Sequence, residues 1–127
     1  MSASTFPGVE NARTILFVYG TLKRDRRNHQ LIADQQYLGE AATEPRYRLI
    51  DLGPYPGLIP DEENGLAVRG ELWAVTWCCL VELDDFEGGD YARGPVTVDG
   101  CGKSVQAYFW AKLVPDGVRI GAEWPFS

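Results

Sequence analysis

The sequence predicts an α+β fold: a mostly antiparallel sheet that curls into a small β-barrel flanked by short helices. Three observations lead there. Apolar or alternating runs of strand length recur along the chain, each stopped by glycine, proline or a polar turn. Gly 14 and Pro 8 among 127 residues imply many turns and short elements. About six or seven strands set against two helices, without a βαβα rhythm, exclude a doubly wound parallel sheet.

The first stretch, "MSASTFPGVENAR" at 1–13, has no basic start followed by an apolar run. It is therefore not a secretory signal and reads as a loose leader. Residues 14–19, "TILFVY", are continuously apolar, as in a strand buried on both faces. The run stops at Gly20, and Thr21, Leu22 and the basic cluster Lys23, Arg24, Arg26 and Arg27 follow. Asn28 is placed to cap a helix through about Gln36, with Leu31, Ile32 and Ala33 as its core stripe. "YLGEAATEPRYRLIDLG" mixes strand character with Pro45, which belongs at an edge or bulge. Residues 53–65, "GPYPGLIPDEENG", carry three prolines and three glycines and read as a long loop. Loops of that length in a small domain are often functional.

In "LAVRGELWAV" the side chains of Leu66, Val68, Leu72 and Ala74 share one face. Gly70 leaves a hole there, as a bulge or a close approach would. Thr76 can cap a helix through about Phe86, with Cys79, Leu80, Leu83 and Phe86 at helical spacing. Glu87-Gly88-Gly89 is its stop signal. Residues 92–98 and 104–112 are expected as strands joined by a hairpin at Asp99-Gly100 and Gly102. The end, "LVPDGVRIGAEWPFS", is expected to pack loosely over the surface. Trp73, Trp77 and Trp110 are assigned to the core. The length fits one domain, 1–127.

Charge and cysteine content narrow the function classes. The net charge of −6 argues against nucleic acid and anionic membrane surfaces as partners. No apolar segment approaches the roughly 20 residues needed to span a bilayer. The local basic cluster reads as a solvated loop. Cys78, Cys79 and Cys101 form no Cys-x-x-Cys pair, and His29 is the single histidine. Neither a disulfide framework, a zinc site nor a cysteine–histidine nucleophile is supported. The thiols fit a reducing, cytoplasmic setting.

Two segments carry chemistry. After the first strand, Gly20 lets a ligand or another backbone come close. Successive N–H groups of Gly20, Thr21 and Leu22 can converge into a nest for a carboxylate or an oxyanion. Equally, the turn can be no more than a way out of the sheet. The second segment is "LDDFEGGDYAR", with four acidic residues in seven positions from Asp84 to Asp90. Glu87 follows Phe86 and precedes two glycines. A carboxyl beside an apolar ring at a pocket mouth has a raised pKa, which suits a general base near neutral pH. The plain alternative is a solvated acidic helix end.

In order and at these spacings, "FVYGTLKRDRRNHQLI", "YPGL", "GELWAV" and "LDDFEGGDYARGPVTV" resemble the gamma-glutamylcyclotransferase-like family. The similarity is greatest to the branch containing gamma-glutamylamine cyclotransferase and the AIG2-like proteins, and covers about residues 14 to 112. The resemblance implies a small β-barrel, and an enzyme needing no metal or cofactor. By that likeness, Glu87 stands at the catalytic glutamate's position. The Tyr19-Gly20-Thr21-Leu22 loop holds the substrate's glutamyl end through its backbone. Tyr91 walls the pocket beside Tyr19, and the hydroxyl of either is expected to be available to a ligand. Arg93 acts behind these residues, holding Glu87 or facing the substrate carboxylate. Asp25 departs from the pattern, standing where glycine often follows Lys-Arg.

The implied reaction forms 5-oxoproline from a small-molecule γ-glutamyl amide and frees an amine. A non-catalytic carboxylate-binding module on the same fold is the competing reading, since fold does not imply activity. A third is the same enzyme type acting on another γ-glutamyl amide. Glu71 in "GELW" is a candidate second pocket carboxylate. The leaving group and the oligomeric state are not readable from the residues.

Overall fold

The computed structural model describes residues 12–126. Of the expected leader, 1–11 lie outside the described residues, and Arg13 already opens the first strand. The strands are β1 (Arg13–Val18), β2 (Gln36–Ala42), β3 (Tyr47–Asp51), β4 (Pro56–Pro60), β5 (Arg69–Thr76), β6 (Tyr91–Val96), β7 (Val105–Trp110) and β8 (Ile120–Gly121). Among the described residues one α-helix, α1 (Trp77–Glu87), joins β5 to β6. The eight-stranded sheet runs β2-β5-β1-β7-β4-β3-β8, with β6 on the other edge of β7.

Pairing is antiparallel except where β7 meets β1 and β4, which are both parallel to it. The chain after β2 also meets the chain after β6. Glu44 N–H donates to Thr97 O and Asp99 N–H to Ala42 O, each at 3.0 Å. The sheet thus curls into a half-barrel in an α+β fold, in agreement with the predicted class.

β1 is buried on both faces, as its unbroken apolar run predicts. Leu16 and Val18 point into a cluster with Trp73, Val75, Cys79, Leu80, Leu83 and Tyr108. Phe17 and Tyr19 point into the barrel interior among Tyr47, Leu49, Leu58, Val68, Val96 and Val105. The expected hole at Gly70 is filled by Phe17. A Cβ on Gly70 would lie 2.7 Å from the Phe17 ring and 2.4 Å from Val18 O.

Helix α1 begins and ends as its residues dictate. The Thr76 hydroxyl oxygen accepts from Cys79 N–H at 3.2 Å. Gly88 closes the helix at φ +67°, a conformation glycine adopts without penalty. Cys79, Leu80 and Leu83 form the buried face.

Four expectations need correction. The helix predicted over 28–36 is only a 3₁₀ turn at His29–Leu31. Asn28 does not cap it; its amide donates to the Thr21 hydroxyl at 2.9 Å instead. Ile32 alone of the stripe is fully buried, too little apolar contact to hold a free-standing helix. Secondly, the loop predicted over 53–65 contains β4. Its prolines sit at the strand ends, opposite Asp51 and Tyr47, where missing N–H groups do least damage.

Thirdly, the C-terminal stretch is docked rather than loose. β8 pairs with β3, and Trp124 and Phe126 pack on the interior cluster. Finally, Trp77 is 64% exposed, whereas Trp73 is buried as predicted. No helix among the described residues is long and apolar enough to cross a membrane.

Candidate active site

A cavity of about 230 Å³ opens at the C-terminal end of β1. Its position follows from the pairing. β7 is paired with β1 at Val105 and Gln106 but with β4 at Phe109. Between these points β1 and β4 diverge, and the opening is lined by Phe17 to Leu22, by Tyr55 and Pro56, and by Tyr108. The far wall comes from the end of α1 and the turn after it: Phe86, Glu87, Asp90 and Tyr91. The two segments singled out in the sequence, some 65 residues apart, therefore face one space.

The loop wall is built from backbone. Lys23 N–H donates to Gly20 O at 3.1 Å, closing a tight turn. Asn28 N–H donates to Thr21 O at 3.0 Å, folding the loop back on itself. Among the described residues no group accepts from the N–H of Gly20, Thr21 or Leu22. Unpaired amide donors at a cavity need an acceptor from solvent or ligand. Gly20 itself lies close to Pro56. A Cβ there would meet Pro56 Cγ at 2.9 Å and Cδ at 3.0 Å. The glycine thus makes room for the "YPGL" segment rather than for a ligand directly.

The opposite wall carries the carboxyl. Glu87 is half-buried, and makes no hydrogen bond or ion pair among the described residues. Burial, uncompensated by a cation, pushes its pKa up to about 7. Arg93 is not its partner. The guanidinium grips Asp84 through Nε–Oδ1 and NH2–Oδ2, both 2.9 Å, and also donates to Gln106 Oε1. The Tyr108 hydroxyl donates to Asp84 Oδ1 at 2.6 Å. Arg93 first, and Tyr108 with it, hold the Asp84 carboxyl below the usual carboxylate range. This cluster ties the last turn of α1 to β6 and β7, and Glu87 is the last residue of that turn.

Both expected pocket tyrosines line the cavity, but their hydroxyls are engaged. Tyr19 donates to Tyr108 O at 2.6 Å and accepts from Leu58 N–H at 3.2 Å, pinning β7 to β4. Tyr91 donates to Pro56 O at 2.7 Å. Burial first, then the neighbouring acidic groups, raises the pKa of both. Their rings shape the wall, and neither O–H points free.

Glu71 lies elsewhere. Arg24 N–H and Arg24 Nε bond its two oxygens at 3.1 Å, and Trp73 Nε1 donates to Oε1 at 3.1 Å. It fastens the base of the loop and does not line the Glu87 cavity. Asp25 adopts φ +67°, so the aspartate takes the left-handed turn a glycine would make. Cys79 is buried, and burial pushes its thiol up to about 11, which makes it inert.

Tyr108, Asp90, Arg27 and Asn28 also line the cavity and are absent from the residues chosen by sequence. Tyr108 had a signal: alternation along "VQAYFW" and the hairpin at Asp99-Gly100 bring it opposite Arg93. Arg27 had none, because a charge run does not say which member borders a cavity.

Comparison with known proteins follows the same lines. A family profile described as gamma-glutamyl cyclotransferase, AIG2-like, matches residues 16–125. A putative gamma-glutamylcyclotransferase of Vibrio cholerae is 42% identical over 73 residues, covering 58% of this chain and 61% of that protein. The human gamma-glutamylaminecyclotransferase is 41% identical over 83 residues, covering 58% and 52%. This chain thus spans about half to three fifths of the length of these two curated relatives. Among solved structures, an AIG2-like protein from Mus musculus superposes with TM-score 0.77 at 27% identity, covering 88% of both chains. A region making up 20% of a Kluyveromyces lactis allophanate hydrolase has the same fold at TM-score 0.77 and 18% identity. With the profile covering most of its length, the chain belongs to the gamma-glutamyl cyclotransferase, AIG2-like family.

Proposed function

We propose that this protein is a γ-glutamyl cyclotransferase that releases 5-oxoproline and a free amine from a small γ-glutamyl amide. The free α-amine of the glutamyl group attacks its own γ-carbonyl carbon. A C–N bond closes the five-membered lactam, the bond to the leaving nitrogen breaks, and that nitrogen departs with a proton. Nucleophile and electrophile belong to one molecule, so the protein's task is to hold the bent conformer and move a proton.

Glu87 accepts the proton from the α-ammonium and returns one to the leaving nitrogen. A positioned acid/base of this kind contributes roughly 10²–10⁴ in rate. The N–H groups of Gly20, Thr21 and Leu22 bind the α-carboxylate or the developing oxyanion. The rings of Tyr19 and Tyr91 confine the chain between them. Arg93 acts through Asp84, holding the helix end that carries Glu87.

One observation carries this reading. Glu87, an unpaired carboxyl whose pKa burial pushes up to about 7, lines the same cavity as Gly20, Thr21 and Leu22, whose N–H groups have no acceptor among the described residues. A base that titrates near neutral pH is half-ionised where it must both take and give a proton.

The test is 5-oxoproline release from a panel of γ-glutamyl compounds by wild type and Glu87→Gln. Release by wild type and a drop of about a hundredfold or more in the variant is the expected result. Binding without release from any compound would favour the carboxylate-binding module. Release that survives the substitution would overturn the role of Glu87.

A further inference from the structure

The basic cluster after β1 is not the solvated loop that its charge run suggests. Lys23 is only 9% exposed, and its Nζ donates to Trp124 O at 2.5 Å. Arg24 pairs with Glu71 at 3.1 Å. Arg26 sits 5.7 Å from the centre of the Trp124 ring. Two of these cations thus converge on one residue of the C-terminal stretch, 101 positions beyond Lys23. Burying an ammonium is costly, and burial is the first cause that pushes the Lys23 pKa down. An apolar side chain of similar length would fill the space at lower cost. What the ammonium adds is a charge-assisted bond at a set place.

The stretch that Lys23 grips is itself anchored to two strands. β8 pairs with β3, and Arg69 N–H, at the start of β5, donates to Ala122 O at 2.7 Å. Trp124 and Phe126 pack on the interior cluster. Residues 120–126 therefore form a strap, and Lys23 carries its anchorage into the turn after β1. Lys23 N–H donates to Gly20 O at 3.1 Å. The residue that closes the turn by its backbone is thus the residue that ties it down by its side chain. Lys23 does not line the Glu87 cavity. It borders a separate cavity of about 270 Å³, with Glu40, Arg69, Gly70, Glu71 and Glu123.

We propose that Lys23 is a positioning residue: its bond to the Trp124 carbonyl ties the C-terminal strap to the Gly20–Leu22 turn and holds the turn's N–H groups in their substrate-binding arrangement. This rests on the cyclotransferase reading, in which those N–H groups meet the glutamyl carboxylate. Lys23 touches no substrate and acts through the turn alone. Arg26, over the Trp124 ring, is a second and weaker hold on the same strap.

The test compares Lys23→Met with wild type on γ-glutamyl-alanine. Val98→Ala, a core variant remote from the turn, serves as the control for lost stability. Lys23→Met is expected to raise KM about tenfold, the scale of one charge-assisted hydrogen bond, and to leave kcat within about twofold. Lys23→Arg, which keeps a charged donor, should recover part of that loss. Val98→Ala should lower the melting temperature without moving KM. An unchanged KM in Lys23→Met, or an equal rise in Val98→Ala, would overturn the proposal. If Lys23→Met does not fold, Arg26→Gln decides: a rise in KM of about threefold supports the tie and an unchanged KM overturns it. If wild type releases no product, hydrogen exchange in the substrate-free proteins decides separately. The Asn28 N–H, bonded to Thr21 O, reports on the loop. Faster exchange there in Lys23→Met than in Val98→Ala would support the tie while the cyclotransferase reading falls. Equal exchange would overturn the tie.

Discussion

The two walls of the cavity are built on opposite principles. On the loop wall the backbone N–H groups from Gly20 to Leu22 have no acceptor among the described residues, and side chains brace the turn: Asn28 through Thr21, Glu71 through Arg24. The helix-end wall is made by Phe86, Glu87, Asp90 and Tyr91, and a cluster of side chains braces the helix end that carries Glu87. Backbone donors survive most substitutions so long as the turn keeps its shape. A carboxyl on a side chain is lost with a single change. The loop wall should therefore fail by distortion and the helix wall by deletion.

The largest expected effect tests deletion. Beyond the loss of turnover in Glu87→Gln, the same variant should be more stable than wild type above pH 7. The sign follows from the raised pKa. Burial favours the protonated form, so the folded state is penalised as pH rises from the ordinary carboxylate range through about 7. Glutamine never ionises and escapes that penalty. Melting temperatures of the pair should converge towards pH 4 and separate above pH 7. Curves that stay parallel would mean that the Glu87 carboxyl is not desolvated.

A second prediction tests distortion. Gly20→Ala adds a Cβ that meets the Pro56 ring at 2.9 Å. The ring cannot swing away as a flexible chain would, so the turn must shift. We expect KM to rise roughly tenfold and stability to fall by about 1–3 kcal/mol, as for overpacking. An unchanged KM would show that the turn does not hold the substrate.

The smallest effect concerns the brace of the helix wall. Asp84→Asn leaves Glu87 in place but breaks the paired bonds to Arg93. A loss of about 1 kcal/mol at neutral pH and a several-fold fall in kcat are expected. Because Arg93 holds the Asp84 pKa down, its stabilising contribution exists above the ordinary aspartate range and vanishes as pH falls through the lowered value. Thermal melts of the two proteins should therefore converge in acid. A difference that persists there would assign the effect to packing alone.

How much of this was legible in the residues depends on where the deciding information sits. β1, the capped helix Trp77–Glu87 and the hairpin were readable because their signals are local: an unbroken apolar run, Thr76 as cap, Asp99-Gly100 as turn. β4 was not readable. It exists because β3 and β7 lie on either side of it, whereas its own residues, bounded by Pro56 and Pro60, suggest a loop. The helix expected after Asn28 fails for a related reason, since Thr21 takes the Asn28 side chain. The candidate site was half legible. Glu87 and the Gly20 turn stood out through the order and spacing of the motifs that carry the family resemblance, since by residue type alone each had a plain alternative, a solvated helix end and a way out of the sheet. The pairing of Arg93 with Asp84 and the capture of the Tyr19 and Tyr91 hydroxyls depend on contacts between distant segments.

The change of partner along β7 has one more consequence. A strand whose neighbour switches from β1 to β4 leaves a forked seam, and a seam in a sheet is ordinarily a weakness to be mended. Here Tyr19 stitches its inner end, and the outer end stays open as the cavity. In open α/β sheets ligands gather where neighbouring strands part at their carboxyl ends. This curled sheet reaches the same arrangement without a crossover helix on each side. Any redesign that zipped β1 onto β7 beyond Gln106 would gain ladder bonds and seal the doorway. Stability of the sheet and access to Glu87 are thus opposed at a single fork.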